Sequence, residues 1–171
     1  MTSTKMAAGA TFPDRGWPVV AGDPIRLAQE HGWRLLVVYR GKHCPICKVY
    51  LNALEGLREE WEQAGVSVTA ISADRLEQAA ADVEKHGWSF RVAYGLGLDD
   101  MRALGLYVSE PRSPAETDHK FPEPAVFVIN PENRAQVIDI SNAPFARPDL
   151  RTLLGGIKYV QANNYPIRGA A

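Results

Sequence analysis

The sequence predicts an α/β chain whose mixed central sheet has a parallel βαβ core, a C-terminal β-hairpin and a closing helix. Three observations carry this. Two apolar runs, residues 35–39 and 125–129, have the length and composition of strands buried on both faces. Helical periodicities alternate with short β-rich stretches, in the order strand, helix, strand, helix, strand, short helix, strand, strand, helix. Such alternation makes the central strands parallel, with right-handed crossovers. Finally, Asn130-Pro131-Glu132-Asn133 is a turn that folds residues 135–140 back as the second arm of a hairpin.

Residues 1–16 are small and polar and read as a loosely held, flexible tail. A single domain is expected over residues 17–169. Trp17-Pro18-Val19-Val20 is an edge strand, because proline cannot serve a central ladder. Asp23-Pro24 has the pattern of an N-cap and first helical residue, which predicts a short helix carrying Ile25, Leu27 and Ala28 and ended by Gly32. After the strand at 35–39, Ile46, Val49, Tyr50, Ala53, Leu54, Leu57 and Trp61 recur at helical spacing, and Gly65 stops that helix. Tyr50 and Trp61 are expected in the core. Residues 66–72 form the next strand. Ser72 or Asp74 is expected to cap a helix with Leu76, Ala79, Ala80 and Val83 on one face, ended by Gly87. Residues 89–94 are a third strand, and 99–104 a short helix. The segment 106–123 has Pro111, Pro114 and Pro122 and no apolar period. A connection this long is usually functional or disordered, and it is a candidate to fold over the site described next. Arg147-Pro148-Asp149 opens the last helix, with Leu150, Leu153, Leu154 and Ile157 as its apolar stripe and Gly155-Gly156 as a weak point. Residues 163–171 read as a tail.

Composition narrows the function. Hydrophobic residues make up 46% and charged residues 23% of 171, enough for a full core. Net charge is −1 with no basic stripe, so neither nucleic acid nor an anionic membrane surface is an expected partner. No apolar run approaches the ~20 residues of a membrane span. Residues 1–16 hold no apolar segment of the secretory kind. Two cysteines without a secretory context point to a cytoplasmic dithiol rather than a disulfide scaffold.

Those two cysteines lie in Arg40-Gly41-Lys42-His43-Cys44-Pro45-Ile46-Cys47, between the first buried strand and the clearest helix. Two thiols two residues apart at a strand-to-helix turn are a redox pattern. Pro45 suits the first helical position, where its fixed φ fits and its missing N–H costs nothing. Cys44 is then the N-cap, facing free N–H groups and the positive end of the helix dipole. Its thiol is expected below the usual ~8.5. Lys42 and His43 add positive charge nearby. Cys47 lies one turn on, on the same face, and is expected to be the more buried thiol. The division of labour is therefore attack by Cys44 and resolution by Cys47. A zinc half-site is the competing reading, but there is no second CxxC, no HxxxH, and the four histidines are scattered.

The pattern resembles the thioredoxin-fold superfamily, and within it the peroxiredoxin-like branch of the alkyl hydroperoxide reductase / thiol-specific antioxidant (AhpC/TSA) family. The resemblance rests on Leu36-Val37-Val38-Tyr39-Arg40-Gly41 before Cys44-Pro45, on the CPxC motif itself, on Pro124-Ala125-Val126-Phe127-Val128-Ile129-Asn130, and on Arg147-Pro148 with Asn164-Tyr165-Pro166-Ile167-Arg168-Gly169. It spans about residues 10–169 and implies a thioredoxin-like fold. It gives Cys44 the role of nucleophile and Cys47 that of resolving thiol. It also matches Pro124 to the cis-proline that thioredoxin-like proteins place opposite the dithiol. Two departures stand out. Typical peroxiredoxins place Thr or Ser three residues before the reactive cysteine, where this chain has Gly41. They also place Arg just before the crossing strand, where this chain has Pro124. Arg40 or Lys42 is a candidate substitute, although each also reads as a solvated surface charge.

The expected activity is thiol-disulfide oxidoreduction, an antioxidant chemistry in which the dithiol cycles to a Cys44–Cys47 disulfide bond. The alternative is peroxide reduction with Cys44 as the peroxidatic cysteine. Either takes a peroxide or disulfide substrate and a small thiol or thioredoxin-like electron donor. Neither needs a bound cofactor. A third reading is a copper- or zinc-binding module using Cys44, Cys47 and His43 or His119, and a fourth is a binding protein that kept the fold and lost turnover.

Overall fold

The buried runs at 33–38 and 125–129 lie side by side at the centre of a five-stranded sheet, and the other elements are arranged about them. The structure is a computed structural model, and it describes residues 4–171. In chain order the elements are β1 (Gly16–Trp17), β2 (Ile25–Arg26), a 3₁₀ turn (Leu27–Gln29), β3 (Trp33–Val38), α1 (Pro45–Gln63), β4 (Val66–Ile71), α2 (Leu76–His86), β5 (Arg91–Ala93), α3 (Leu98–Ala103), β6 (Val108–Ser109), β7 (Phe121–Pro122), β8 (Ala125–Ile129), β9 (Ala135–Ile140) and α4 (Leu150–Asn163).

The sheet order is β5-β4-β3-β8-β9. β3, β4 and β5 run parallel, and β8 and β9 run antiparallel to their neighbours. Every residue of β8 and all but the first of β3 are buried, as expected of strands covered on both faces. Side chains alternate between two apolar layers. Leu35, Val37, Val126 and Val128 face α1 and α4, packing with Leu51, Leu54, Trp61, Leu154 and Ile157. Leu36, Val38, Phe127 and Ile129 face the other way, onto Phe12, Trp17, Leu27, Met101 and Leu104.

Several local expectations are corrected. Residues 4–16 are not a loose tail. Phe12 is buried, sets its ring edge-on to Phe127 at 6.0 Å, and donates its N–H to Asn133 O at 2.8 Å. Residues 1–3 lie outside the described residues. Asp23-Pro24 leads into β2, not a helix, because Ile25 pairs with Trp17 and buries against the second core layer. α2 is capped at Arg75, whose N–H reaches Gln78 Oε1 at 3.0 Å. Asp74, expected to cap it, is turned toward the dithiol loop instead. Leu76 is exposed, and Ala79 and Asp82 hold the buried positions of that helix. In α1 the buried stripe is Cys47, Leu51, Leu54, Leu57 and Trp61, while Ile46 and Val49 face outward. The segment 106–123 contains the short antiparallel pair β6–β7.

Candidate functional site

β3 ends at Val38, and residues 39–44 carry the chain across the carboxyl end of the parallel strands into α1. Tyr39 N–H continues the ladder to Ile71 O at 3.0 Å. The chain then turns at Gly41, whose φ of +127° favours glycine. A Cβ there would sit 2.5 Å from Asp74 Oδ1. The buried Asp74 carboxylate thus occupies the space that a larger residue at position 41 would need. It also accepts Lys42 N–H at 2.8 Å. Cys44 N–H closes the turn onto Gly41 O at 3.1 Å. Gly41 in place of Thr is therefore tied to Asp74, which burial pushes above the usual carboxylate range.

Cys44 is the N-cap of α1, with Pro45 as first helical residue. Its Sγ accepts Cys47 N–H at 3.3 Å. Both cysteines are free thiols; Cys44 is 3% exposed and Cys47 fully buried. The Cys44 thiol is lowered to about 6. The chief cause is the hydrogen bond from the Cys47 side chain, helped by the Cys47 N–H and by the Arg40 and Arg147 guanidinium charges, with burial opposing. Cys47 is pushed the other way, because its thiol donates to Cys44 and because it is buried. One thiol is thus poised as an anion and its neighbour as a proton donor, and this asymmetry distinguishes an attacking from a resolving thiol.

Two arginines frame the pair. Arg40 forms a two-pronged ion pair with Glu123, both contacts 2.9 Å, and Ser109 Oγ donates to the same carboxylate at 2.7 Å. The expectation that Arg40 is a solvated surface charge is therefore corrected: its partner is 4% exposed and its guanidinium lies 5.1 Å from the Phe121 ring centre. Arg147, which the sequence marked as a helix opener and as part of the family resemblance but not as a site residue, donates from Nη2 to Cys47 Sγ at 3.3 Å. It is held by Pro144 O and by the face of Tyr50, 4.5 Å away. Tyr50 is only half-buried and fixes this corner by donating to Pro148 O at 2.7 Å.

Of the remaining sequence candidates, Lys42 is exposed at the mouth of the site. His43 packs edge-on to Phe121 at 4.5 Å, and burial lowers its pKa, so it contributes less positive charge than expected. Pro124 is buried at the start of β8 and its carbonyl accepts Ser141 N–H at 3.0 Å. Its peptide bond is trans, since no described residue has a cis bond; the cis expectation is corrected. β8 starts beside the end of β3, with Ala125 opposite Val38. His119 meets Asp74, with Nε2 3.9 Å from Oδ1, and Asp118, not the sulfurs. Among the described residues no three His, Cys, Asp or Glu side chains converge to hold a metal, so the copper or zinc reading lacks a ligand set.

Residues 112–117 form one wall of a cleft of about 1030 Å³ that also holds Arg40, His43, Cys44 and Lys48. Part of the long connection therefore lines the opening to Cys44. On the far side of Ile46 and Pro144 lies an apolar groove of about 700 Å³, flanked by the exposed Val49 and Phe145.

Residues 8–138 match the model of the AhpC/TSA family. A curated relative is the thiol-disulfide oxidoreductase ResA of Halalkalibacterium halodurans, 28% identical over 86 residues, which are 50% of this chain and 49% of that protein. The chain thus spans about half the length of that relative. Similar solved structures include a cysteine-to-serine mutant of peroxiredoxin 6 from Arenicola marina (TM-score 0.76, 17% identity, 91% of this chain and 74% of that one). A peroxiredoxin-like protein from Aquifex aeolicus gives 0.75, at 16% identity over 93% and 90% of the two chains. Mycobacterium tuberculosis AhpC gives 0.74, at 14% identity over 92% and 99%. At these identities the structures establish a shared thioredoxin-like fold.

Proposed function

Because this chain belongs to the AhpC/TSA family, we propose that it is a thiol-dependent oxidoreductase that cycles between a Cys44/Cys47 dithiol and an intramolecular disulfide, in the cytoplasm. The observation that carries this is the unequal placement of the two thiols: Cys44 Sγ caps α1 and accepts Cys47 N–H at 3.3 Å, while the fully buried Cys47 Sγ accepts from Arg147 Nη2 at 3.3 Å, an arrangement that lowers the Cys44 pKa and raises that of Cys47. In thiol-disulfide exchange the Cys44 thiolate attacks one sulfur of a substrate disulfide and expels the other as a thiolate. Cys47, giving up its proton, then attacks Cys44 Sγ and releases the second half of the substrate. Arg147 stabilises the Cys47 anion formed on the way. Peroxide reduction is the second reading, favoured by Arg40: a guanidinium beside Cys44 can act on developing oxygen charge where Thr and Arg of typical peroxiredoxins are replaced by Gly41 and Pro124. There Cys44 becomes a sulfenic acid and Cys47 condenses with it, releasing water. The test is stopped-flow oxidation of the reduced protein, followed by Trp fluorescence, with hydrogen peroxide and with a small disulfide. Faster disulfide oxidation supports the first reading and faster peroxide oxidation the second. No disulfide with either oxidant would overturn both.

A further inference from the structure

The cleft that opens onto Cys44 is unevenly charged. Arg40, Lys42, Lys48, Lys85 and Arg112 line it, against Asp82 and Glu116. Three of the cations are already ion-paired. Arg40 pairs with Glu123, Lys48 with Asp82 at 3.5 Å, and Arg112 with Glu116 at 3.2 Å. These pairs use up both carboxylates of the wall. Lys42 and Lys85 are exposed and, among the described residues, have no carboxylate partner. A chain of net charge −1 thus concentrates two unpaired ammonium groups at an opening that leads to its thiolate. Cys44 is also recessed, at 3% exposed, in a cleft that Arg112, Ser113, Ala115, Glu116 and Thr117 help to line.

Resting on the reading of Cys44 and Cys47 as a redox dithiol, we propose that this cleft binds a small anionic thiol, whose carboxylate pairs with Lys42 and Lys85 and whose sulfur reduces the Cys44–Cys47 disulfide. The thiolate RS⁻ attacks Cys44 Sγ; the S–S bond breaks and Cys47 leaves as a thiolate, which takes up a proton. A second RS⁻ attacks the outer sulfur of the mixed disulfide and frees the Cys44 thiolate. Two RSH become one RSSR, and the two electrons reside in the protein dithiol. A protein reductant would instead use the apolar groove beyond Ile46 and Pro144, whose charged lining is Arg147 and Arg151 against Asp149.

The test is the rate of reduction of the oxidised protein by three small thiols of similar size, with each rate constant divided by the fraction present as thiolate and by that thiolate's rate constant with a small uncharged disulfide, which removes intrinsic nucleophilicity. As thiolates, cysteamine, 2-mercaptoethanol and mercaptoacetate carry net charges of 0, −1 and −2. At low salt mercaptoacetate should exceed cysteamine about tenfold, and the gap should close at high salt. Lys42→Glu/Lys85→Glu should invert the order, and Lys42→Gln/Lys85→Gln should flatten it. Equal rates for the three thiols in the wild type, or an order unchanged in the charge-reversed variant, would overturn the proposal alone. The wild-type series needs no variant to fold. Failure of peroxide and of a small disulfide to form any Cys44–Cys47 bond would instead overturn the dithiol reading on which the proposal rests.

Discussion

Replacing Arg40 by Met removes a charge from the thiolate and from a buried acid at once. The aliphatic stem is largely kept, so the packing on Phe121 changes little. Glu123 is left 4% exposed with Ser109 Oγ as its side-chain donor. Breaking a buried ion pair by removing one partner costs about 3–5 kcal/mol. Arg40 itself is 22% exposed, so solvent screening reduces this to ~2 kcal/mol. Cys44 also loses one of its two guanidinium neighbours and should titrate ~1 unit above its wild-type value of about 6. The pH dependence of iodoacetamide alkylation, read at the Cys44 peptide by mass spectrometry, measures the second effect. Urea unfolding of the reduced protein measures the first. Arg40→Met/Glu123→Gln separates them: removing the stranded carboxylate should restore most of the stability but leave Cys44 raised. An unchanged Cys44 midpoint in both variants would refute the role of Arg40, and a restored midpoint in the double variant would mean that only Glu123 matters.

Arg147→Leu should slow reduction of the Cys44–Cys47 disulfide by dithiothreitol ~10- to 100-fold, because the leaving Cys47 thiolate loses its donor; quenched-flow thiol counting checks this. Gly41→Thr, which restores the residue of typical peroxiredoxins, should destabilise the protein by at least ~1–3 kcal/mol, since φ is +127° and the Cβ position is 2.5 Å from Asp74 Oδ1; adding Asp74→Ala should relieve only the clash. The folded Cys44 pKa of about 6 lies below that of an ordinary thiol, so the thiolate stabilises the reduced fold fully above that ordinary value and the benefit is lost as pH falls through about 6. The stability of the reduced wild type relative to Cys44→Ser should therefore shrink from pH 9 to pH 5, as read from urea midpoints. Gly155→Ala and Gly156→Ala should each stabilise α4 by ~0.5–1 kcal/mol in thermal unfolding, since both sites are exposed with open space around the added methyl.

What could be read without the structure was whatever short-range pattern determines. The runs at 35–39 and 125–129 are apolar without interruption and became central strands. Pro45 after Cys44 marked the helix start, and through it the N-cap thiolate, within one residue. What escaped depends on partners distant in the chain. Asp23-Pro24 has the same local chemistry whether it opens a helix or a turn, and the pairing of Ile25 with Trp17 decided for the turn. Asp74 has the right side chain to cap α2, but the N–H of Lys42, 32 residues away, takes it. Phe12 sits in a polar, small-residue segment and gives no periodic signal, yet it is pinned by Asn133 and Phe127. Arg147 lies 100 residues from Cys47, and nothing nearby in sequence marks it as a site residue. Its position just ahead of the last helix, with Pro148 beside it, was the one available sign.

The most direct test of the division of labour is mass spectrometry of reduced wild type, Cys44→Ser and Cys47→Ser after a brief exposure to hydrogen peroxide or to a small disulfide, in the presence of dimedone. Wild type should lose two hydrogens and form the Cys44–Cys47 disulfide. Cys47→Ser should stop at an adduct on Cys44, either dimedone-trapped sulfenic acid or a mixed disulfide. Cys44→Ser should remain unmodified. Modification of Cys47 in the Cys44→Ser protein at the rate seen for Cys44 would contradict the account, because it would make the two thiols equivalent.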